Sequence, residues 1–278
     1  MYLKTKKQTY DLNARTYIMG ILNTTPDSFS DGGRYNSVDR AVEQAVKMEA
    51  EGADIIDIGG ESTRPGHTPL SAAEELERIL PVIEAVEKNV SIPISVDTYK
   101  AETAKQVLEN GADIINDIWG AKFDPKMAEV VAQYDAPIVL MHNRDNMNYT
   151  NLIADMTRDL QESINIARAN GIKDEHIILD PGIGLFAKTM QDNLFAMKHL
   201  DAFKALGYPI LLGTSRKSFI GTILDEPVAD NRDIGTGATT CLGISKGCQI
   251  VRVHNVKANV ALRKMMDAML QAEEEVRN

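Results

Sequence analysis

Two cysteines in 278 residues, Cys241 and Cys248, are too few for a disulfide framework or a cysteine metal site, and they read as buried thiols around a helix and the turn after it. No apolar run approaches the roughly 20 residues needed to span a bilayer. The first residues, with Lys4, Lys6 and Lys7 ahead of Gln8-Thr9-Tyr10, lack the apolar stretch of a secretory signal, so a cytoplasmic protein is the expectation. Positive charge is in deficit, with 30 Lys+Arg against 40 Asp+Glu and a net charge of -10. That balance argues against nucleic acid or an anionic membrane as partner, while leaving room for a local basic pocket that takes an anionic substrate. No linker rich in proline, glycine or serine divides the chain, which reads as one domain over residues 1–278. Gly182-Ile183-Gly184 and Gly235-Thr236-Gly237 lack the further spaced glycine of a dinucleotide fingerprint, which counts against an open doubly wound sheet.

What the chain does have is a series of short apolar runs, each ending at a chemically capable side chain. Residues 18–22 run into Asn23, 55–58 into Gly59-Gly60-Glu61-Ser62-Thr63-Arg64, 92–96 into Asp97, and Ile114-Ile115 into Asn116-Asp117. Residues 138–141 lead to His142, 177–179 to Asp180, 210–212 to Gly213-Thr214-Ser215-Arg216-Lys217, and Ile250-Val251 to Arg252-Val253-His254. The runs are too short for helices, and the segments between them carry helical periodicity. The pattern predicts an α/β fold of eight strand-helix units, a (β/α)8 TIM barrel, with residues 2–17 as a short lead-in closing its lower end. One such barrel takes about 250 residues, and its active site lies at the carboxyl ends of the strands. Polar residues scattered through the sequence would therefore meet at one mouth.

The helices punctuate themselves. Glu51-Gly52-Ala53-Asp54-Ile55-Ile56-Asp57-Ile58 is nearly repeated by Asn110-Gly111-Ala112-Asp113-Ile114-Ile115-Asn116-Asp117-Ile118, each a helix end followed by a strand. Gly52, Gly111 and also Gly171 stand where a helix stops in the left-handed conformation. Ser71 with Glu74 reads as a capping box, and Asp124-Pro125 as an N-cap with proline in the first turn. Helices over 152–169, 188–206 and 256–272 complete the outer layer, the last with Leu262, Met266, Met269 and Leu270 as a stripe for the core or a subunit interface.

Some strand-end residues stand out on chemistry alone. Residues 23–33 are too polar and turn-rich for a core and form a loop over the mouth. Arg64, after Glu61-Ser62-Thr63, offers a planar fork of donors that suits a phosphate. Arg252 and His254 share a strand face, and a basic pair inside the mouth calls for an anion. The plainer alternatives are an internal salt bridge for Arg252 and a satisfied structural histidine for His254. His142 has no metal-ligand partner at useful spacing and reads as structural or as supporting the site; neither His-Glu-x-x-His nor a cysteine cluster occurs.

Taken together, residues 23–33 and 60–66, Ser95-Val96-Asp97, Asn116-Asp117-Ile118, Asp180-Pro181-Gly182-Ile183-Gly184 with Phe186 after the extra spacing residue Leu185, Gly213-Thr214-Ser215-Arg216-Lys217-Ser218 and Arg252-Val253-His254-Asn255 closely resemble dihydropteroate synthase. The motifs occur in order over nearly the whole chain. The resemblance implies a (β/α)8 barrel that joins 6-hydroxymethyl-7,8-dihydropterin diphosphate to 4-aminobenzoate and releases diphosphate in folate biosynthesis. It also implies sulfonamides as competitive inhibitors and a homodimer.

The same resemblance distributes roles among the residues. Asp180 is the best candidate to pair with a pterin's ring N–H and exocyclic amine, and Asn116 and Asp97 line the same pocket, with Met141 and Ile118 as apolar walls and Gly213 beside them. Asn23, Thr63, Arg64, Arg252 and His254 are assigned to the diphosphate. Thr63, Pro65, Phe186, Lys217 and Ser218 are assigned to the aminobenzoate, with Lys217 bridging it to the pterin. A Mg²⁺ ion held by diphosphate oxygens and Asn23 is the implied cofactor. Catalysis is expected from Lys217, Arg252, Asp97 and Asn23. The alternatives for single residues are ordinary: a turn cap for Asp180, a cap for a helix beginning near Tyr99 for Asp97, and solvated surface for Lys217. Trp119 stands where a smaller residue is expected.

An arylamine is neutral at pH 7 and weakly nucleophilic, so departure of diphosphate is the harder step. The implied reaction breaks the C–O bond largely before attack, giving a pterin cation, with residues 23–33 and 61–66 closing to exclude water. Two other functions fit the fold. A pterin-binding methyltransferase has no use for the Arg252/His254 pair or the Thr63-Arg64 loop, and a catalytically silent homologue would have no need to keep Asn23, Arg64, Asp97, Asp180, Lys217 and Arg252 together.

Overall fold

The chain enters through an antiparallel hairpin, β1 (Tyr2–Lys4) and β2 (Thr9–Asp11), and then lays down eight parallel strands. These are β3 (Tyr17–Asn23), β4 (Ile55–Gly59), β5 (Ile94–Asp97), β6 (Ile114–Asp117), β7 (Ile138–Met141), β8 (Ile177–Asp180), β9 (Leu211–Leu212) and β10 (Ile250–Val253). The computed structural model describes residues 1–24, 33–61, 69–185 and 187–273. The strands pair in the order β8-β7-β6-β5-β4-β3-β10-β9, and a parallel bridge between Leu179 and Ile210 brings the two ends of the sheet together. The ring of eight strands is the predicted TIM barrel.

Alternation of side chains divides the apolar residues into two cores. Ile18, Leu22, Ile56, Ile58, Val96, Ile115, Leu140, Leu179, Leu212 and Val251 face outward and pack against the helices. Those helices are α1 (Gly33–Ala50), α2 (Ala72–Glu87), α3 (Ala101–Glu109), α4 (Met127–Gln133), α5 (Leu152–Ala169), α6 (Met190–Lys198), α7 (Ser218–Leu224), α8 (Asp233–Ser245) and α9 (Val256–Leu270). Met19, Ile55, Ile114, Val139, Ile178, Leu211 and Ile250 face inward and form a separate cluster with Leu3, Tyr10 and Leu12 of the lead-in. The hairpin thus plugs the lower end of the barrel, as the sequence predicted. Lys6 fastens it there by donating to the carbonyls of Leu108 and Ala112 at the end of α3.

The internal echo is a repeated piece of hydrogen bonding. Asp54 accepts from the N–H of Ile18 at 2.8 Å, and Asp113, its counterpart, accepts from the N–H of Ile94 at 3.0 Å. Each carboxylate ties the start of its own strand to the strand before it. The glycines preceding them, Gly52 and Gly111, take φ of 99° and 108° as the helix-stop reading required, and Gly171 follows suit at 92°. The Ser71/Glu74 capping box is present, and α5 spans the predicted residues.

Two helix boundaries differ from expectation. The predicted helix over 188–206 starts at Met190, because Thr189 and Asp192 form a reciprocal capping box, and beyond His199 it tightens into a 3-10 turn over Leu200–Leu206. Lys188 is left outside the helix and turns inward. Asp124 does not cap the helix that follows it at Met127; one oxygen accepts from Lys126 N–H and the other from Ala101 N–H, so it serves the first turn of α3. Among the described residues no helix is long and apolar enough to cross a membrane. Cys241 and Cys248 are free thiols, the second buried.

Candidate active site

Two residues further along most of the strands, the inward apolar layer gives way to a more polar one. Above Ile55 stands Asp57, above Ile114 Asn116, above Val139 Met141, above Ile178 Asp180, above Leu211 Gly213 and above Ile250 Arg252; β5 contributes Ser95 and Asp97. Period-two alternation therefore builds the site from residues far apart in sequence. Asp180 and Arg252 belong to one cup. Gly213 lies between them, and a Cβ placed on it would meet Asp180 Oδ2 at 3.4 Å and Arg252 Cδ at 4.0 Å. Its lack of a side chain keeps the centre of the cup open.

Arg252 is held by two carboxylates. Its Nε donates to Asp57 Oδ2 at 2.5 Å and its Nη2 to Asp97 Oδ2 at 2.9 Å, while Asn116 Nδ2 donates to the same Asp57 oxygen at 3.2 Å. The internal salt bridge, raised from sequence as the plainer alternative, is thus what surrounds this guanidinium. Burial works against its charge, but Asp57 and Asp97 outweigh that and its pKa is raised. Burial pushes the Asp97 carboxyl up to about 7, with Arg252 pulling it down and Asp57 pushing it further up. Asp97 is not a helix cap: α3 begins later, at Ala101.

Asp180 and Lys217 form the opposite side of the cup. Asp180 Oδ1 accepts the Gly182 N–H at 2.7 Å, so the turn-capping role is real and occupies one oxygen of the two. Burial raises the Asp180 pKa against the pull of Lys217. Burial also pushes the Lys217 ammonium down to about 8, with Asp180 opposing the shift and Arg252 adding to it. Lys217 Nζ donates to the carbonyl of Ile183. Its neighbour Arg216 takes φ of 58° and turns away to pair with Asp230 and Asp233, so of two adjacent cations only the lysine faces the cup.

The rim carries the remaining predicted residues. Asn23 is exposed at the tip of β3, Ser218 is exposed at the start of α7, and Ile118 is half-buried just beyond β6. His254 Nδ1 lies 2.9 Å from the Ser215 hydroxyl, which also accepts the His254 backbone N–H. Trp119 stacks toward Phe123 at 5.9 Å, and Phe123 meets Tyr99 edge-on at 4.8 Å, giving the large indole an aromatic neighbourhood. Thr63, Arg64, Pro65, Phe186 and most of residues 23–33 and 61–66 lie outside the described residues. Among the described residues no group of three or more His, Cys, Asp or Glu could hold a metal ion. The hard amide oxygen of Asn23 suits an ion such as Mg²⁺ that keeps most of its shell from phosphate and water.

Sequence reasoning missed several supporting residues. Asp57, fully buried beneath Arg252, was passed over, although the internal echo aligns it with Asn116 and so marks it as an inward strand residue. Lys188, 5% exposed, places its Nζ 3.1 Å from His142 Nδ1, and His142 Nε2 lies 3.0 Å from Asp159 Oδ2. Burial lowers His142 to about 4 against the pull of Asp159, and lowers Lys188 to about 7 with help from Lys217. Burial thus disfavours the charged imidazolium, and the ring links Lys188, in the loop after β8, to Asp159 of α5. Glu61 accepts from Tyr99 Oη at 2.8 Å, from Lys100 Nζ at 2.5 Å and from Leu70 N–H at 3.3 Å. Nothing in the local sequence pairs those residues.

Comparison with known proteins gives a consistent answer. Residues 19–254 match the family of pterin binding enzymes. The chain is 58% identical over 268 residues to the dihydropteroate synthase of Bacillus subtilis, covering 96% of this chain and 93% of that one. Its structure resembles that of the Clostridium difficile dihydropteroate synthase solved in the presence of pteroic acid, with a TM-score of 0.91 and 49% identity over 95% of this chain and 100% of the other. The Yersinia pestis dihydropteroate synthase in a sulfonamide drug complex is similar too, with a TM-score of 0.91 and 39% identity over 98% of this chain and 100% of the other.

Proposed function

The chain belongs to the dihydropteroate synthases among the pterin binding enzymes, and from that premise we propose how its own residues carry out the reaction. The enzyme is a transferase of folate biosynthesis that joins 6-hydroxymethyl-7,8-dihydropterin diphosphate to 4-aminobenzoate, releasing diphosphate. The observation that supports the assignment of residues is the single inward layer shared by Asp57, Asp97, Asn116, Met141, Asp180, Gly213 and Arg252, with Lys217 reaching in from the loop after β9.

The pterin lies in that layer. Asp180 Oδ2, Asn116 and Asp97 meet its ring N–H and amine groups, Met141 and Ile118 wall it, and Gly213 leaves it room. Lys217 bridges pterin and aminobenzoate. Asn23, Thr63, Arg64, Arg252 and His254 meet the diphosphate, and Thr63, Pro65, Phe186 and Ser218 complete the aminobenzoate pocket. Asn23 would hold a Mg²⁺ ion, which when bound supplies positive charge against the diphosphate.

Departure of diphosphate precedes attack by the weakly nucleophilic arylamine. Positive charge then grows on the pterin ring, where the carboxylates of Asp97 and Asp180 oppose it at close range in a water-poor cup. The leaving group is met by cations, so the two developing charges separate toward groups already in place. A sulfonamide that mimics aminobenzoate competes for the second pocket; the similar Yersinia pestis enzyme forms a sulfonamide drug complex. The enzyme works in the cytoplasm as a homodimer built on the exposed apolar residues of α8 and α9.

The deciding experiment is diphosphate release on mixing both substrates, with wild type and Lys217→Ala. Wild type should release diphosphate only when both substrates are present, and the variant should lose at least about 100-fold in kcat, comparable to losing one preorganised donor. Near-normal turnover by Lys217→Ala would contradict the assignment. Binding without turnover by the wild type would instead support a silent homologue.

A further inference from the structure

We infer that Asp57 is a positioning residue that fixes which hydrogen-bonding face Asn116 turns to the bound ring, making this chain demand a donor beside an acceptor at that point of its ligand; this deepens, and rests on, the pterin-binding role proposed above. The Asp57 side chain is fully buried, and its Oδ2 accepts from both Arg252 Nε at 2.5 Å and Asn116 Nδ2 at 3.2 Å. Arginine only donates, so the Asp57 oxygen it meets acts as an acceptor, and the same oxygen faces the Asn116 amide. The nitrogen end of the Asn116 amide must therefore point at Asp57, and its oxygen must point elsewhere.

The reach between the two residues depends on what stands between them. Asp57 is on β4 and Asn116 on β6, and β5 separates these strands. The β5 residue paired with Asp57 is Ser95, which faces the barrel interior below Asp97 and is fully buried. Its small side chain leaves Asn116 free to cross to Asp57. A branched apolar residue there would fill that path.

With one N–H of Asn116 held by Asp57, the amide offers its oxygen and its second N–H to a ligand. An asparagine in that state reads an edge with a donor next to an acceptor, the same logic by which it reads adenine in DNA. A pterin has such an edge in its 2-amino group and N1. The 2-oxo analogue, a lumazine, presents a carbonyl acceptor and an N1–H donor, which is the reversed pattern. An asparagine free to turn over would satisfy either ligand.

The test is calorimetric titration with 6-hydroxymethylpterin and 6-hydroxymethyllumazine against wild type, Asp57→Ala and Ser95→Val, each checked for its folded circular-dichroism spectrum. Wild type should prefer the pterin by about 30-fold, within the range for a mispaired bidentate contact. Asp57→Ala should narrow that preference to below about 5-fold, chiefly by improving lumazine binding relative to pterin. Ser95→Val keeps Asp57 and Arg252 intact and should narrow it in the same direction. Equal binding of the two ligands by wild type, or variants that weaken both ligands by one common factor, would overturn the positioning role. A wild type that binds neither ligand would overturn the pterin-binding role itself, and this one with it.

Discussion

A Cβ on Gly184 would stand 2.4 Å from Lys217 Cδ and 3.2 Å from Lys217 Cβ. The backbone after β8 thus lies directly against the lysine stem, and the adjacent Ile183 carbonyl accepts from its ammonium. Gly184 also has φ of 81°, a left-handed value that alanine adopts at a cost of roughly 1 kcal/mol or more. Gly184→Ala should displace Lys217 from the cup and lower kcat about 10- to 100-fold, while moving the melting temperature by only a few degrees. Steady-state diphosphate release and a thermal melt on the same preparation check this. An unchanged kcat would mean that the loop does not position the lysine.

Two of the shifted groups in the cup, Asp97 and Lys217, set a pH window for catalysis. Asp97 must be ionised to accept from the pterin, and burial has pushed it up to about 7. Lys217 must be charged to donate, and burial has pushed it down to about 8. The profile of kcat/KM should be a narrow bell, rising through about 7 and falling through about 8, and Asp97→Asn should move the acid limb, leaving the one set by Asp180, while keeping the alkaline limb. Stability runs in the opposite sense. A carboxyl with a raised folded-state pKa favours folding at low pH and gives up that advantage as pH climbs from 3.8 through about 7. Asp97→Asn should therefore melt above the wild type at pH 8, by about 2–4 °C for each kcal/mol recovered, and not at pH 4. A lower melting point for the variant at pH 8 would show that the pairing with Arg252 outweighs the cost of burial.

Strand-end residues were legible because they follow apolar runs that announce themselves. Asp97, Asn116, Asp180, Lys217 and Arg252 needed only the rule that a closed parallel barrel brings all carboxyl ends to one mouth. Asp57 sat inside its run, two residues before the strand end, and its importance depends on the side chain of Arg252, 195 positions later. The helical periodicity puts Lys188 at the first position of a helix; the local Thr189/Asp192 capping box starts that helix at Met190 instead and releases Lys188 to His142. Local spacing also could not tell that Arg216 would turn out to Asp233 while Lys217 turned in. That outcome depends on one positive φ.

Lys100 joins two buried carboxylates, Glu61 at 2.5 Å and Glu75 at 3.1 Å, and Glu61 also receives the N–H of Leu70. One carboxylate therefore fastens both sides of residues 62–69, the stretch that contains Thr63 and Arg64. Lys100→Met leaves Glu75 buried without the cation it faces and takes one donor from Glu61. Loss of on the order of 3–5 kcal/mol in folding stability is expected, from the cost of breaking a buried pair on one side. Because the proposed aminobenzoate contacts Thr63 and Pro65 lie between Glu61 and Leu70, KM for aminobenzoate should rise more than KM for the pterin substrate. Chemical denaturation and two-substrate kinetics separate these effects. Equal changes in both KM values would remove Glu61 from any role in the second pocket.

The methionine stripe on α9 divides in two. Leu262 packs toward α8, where a Cβ on Gly237 would come within 2.8 Å of it, and Met266 rests against the main core. Met265 is 59% exposed and Met269 52%, and Ile234 at the start of α8 is 87% exposed. Apolar residues this open on two packed helices are the kind of surface a monomer buries in a second copy. A two-fold interface would place the same residues on both subunits, so each substitution counts twice. Wild type should sediment at twice the 30.6 kDa chain mass, and Ile234→Asp with Met269→Glu should sediment at the chain mass. None of these residues lies in the inward layer, so kcat should fall less than about 3-fold on dissociation, in line with the small effects of surface changes away from a site. A wild type that sediments as a single chain would leave the patch without this role.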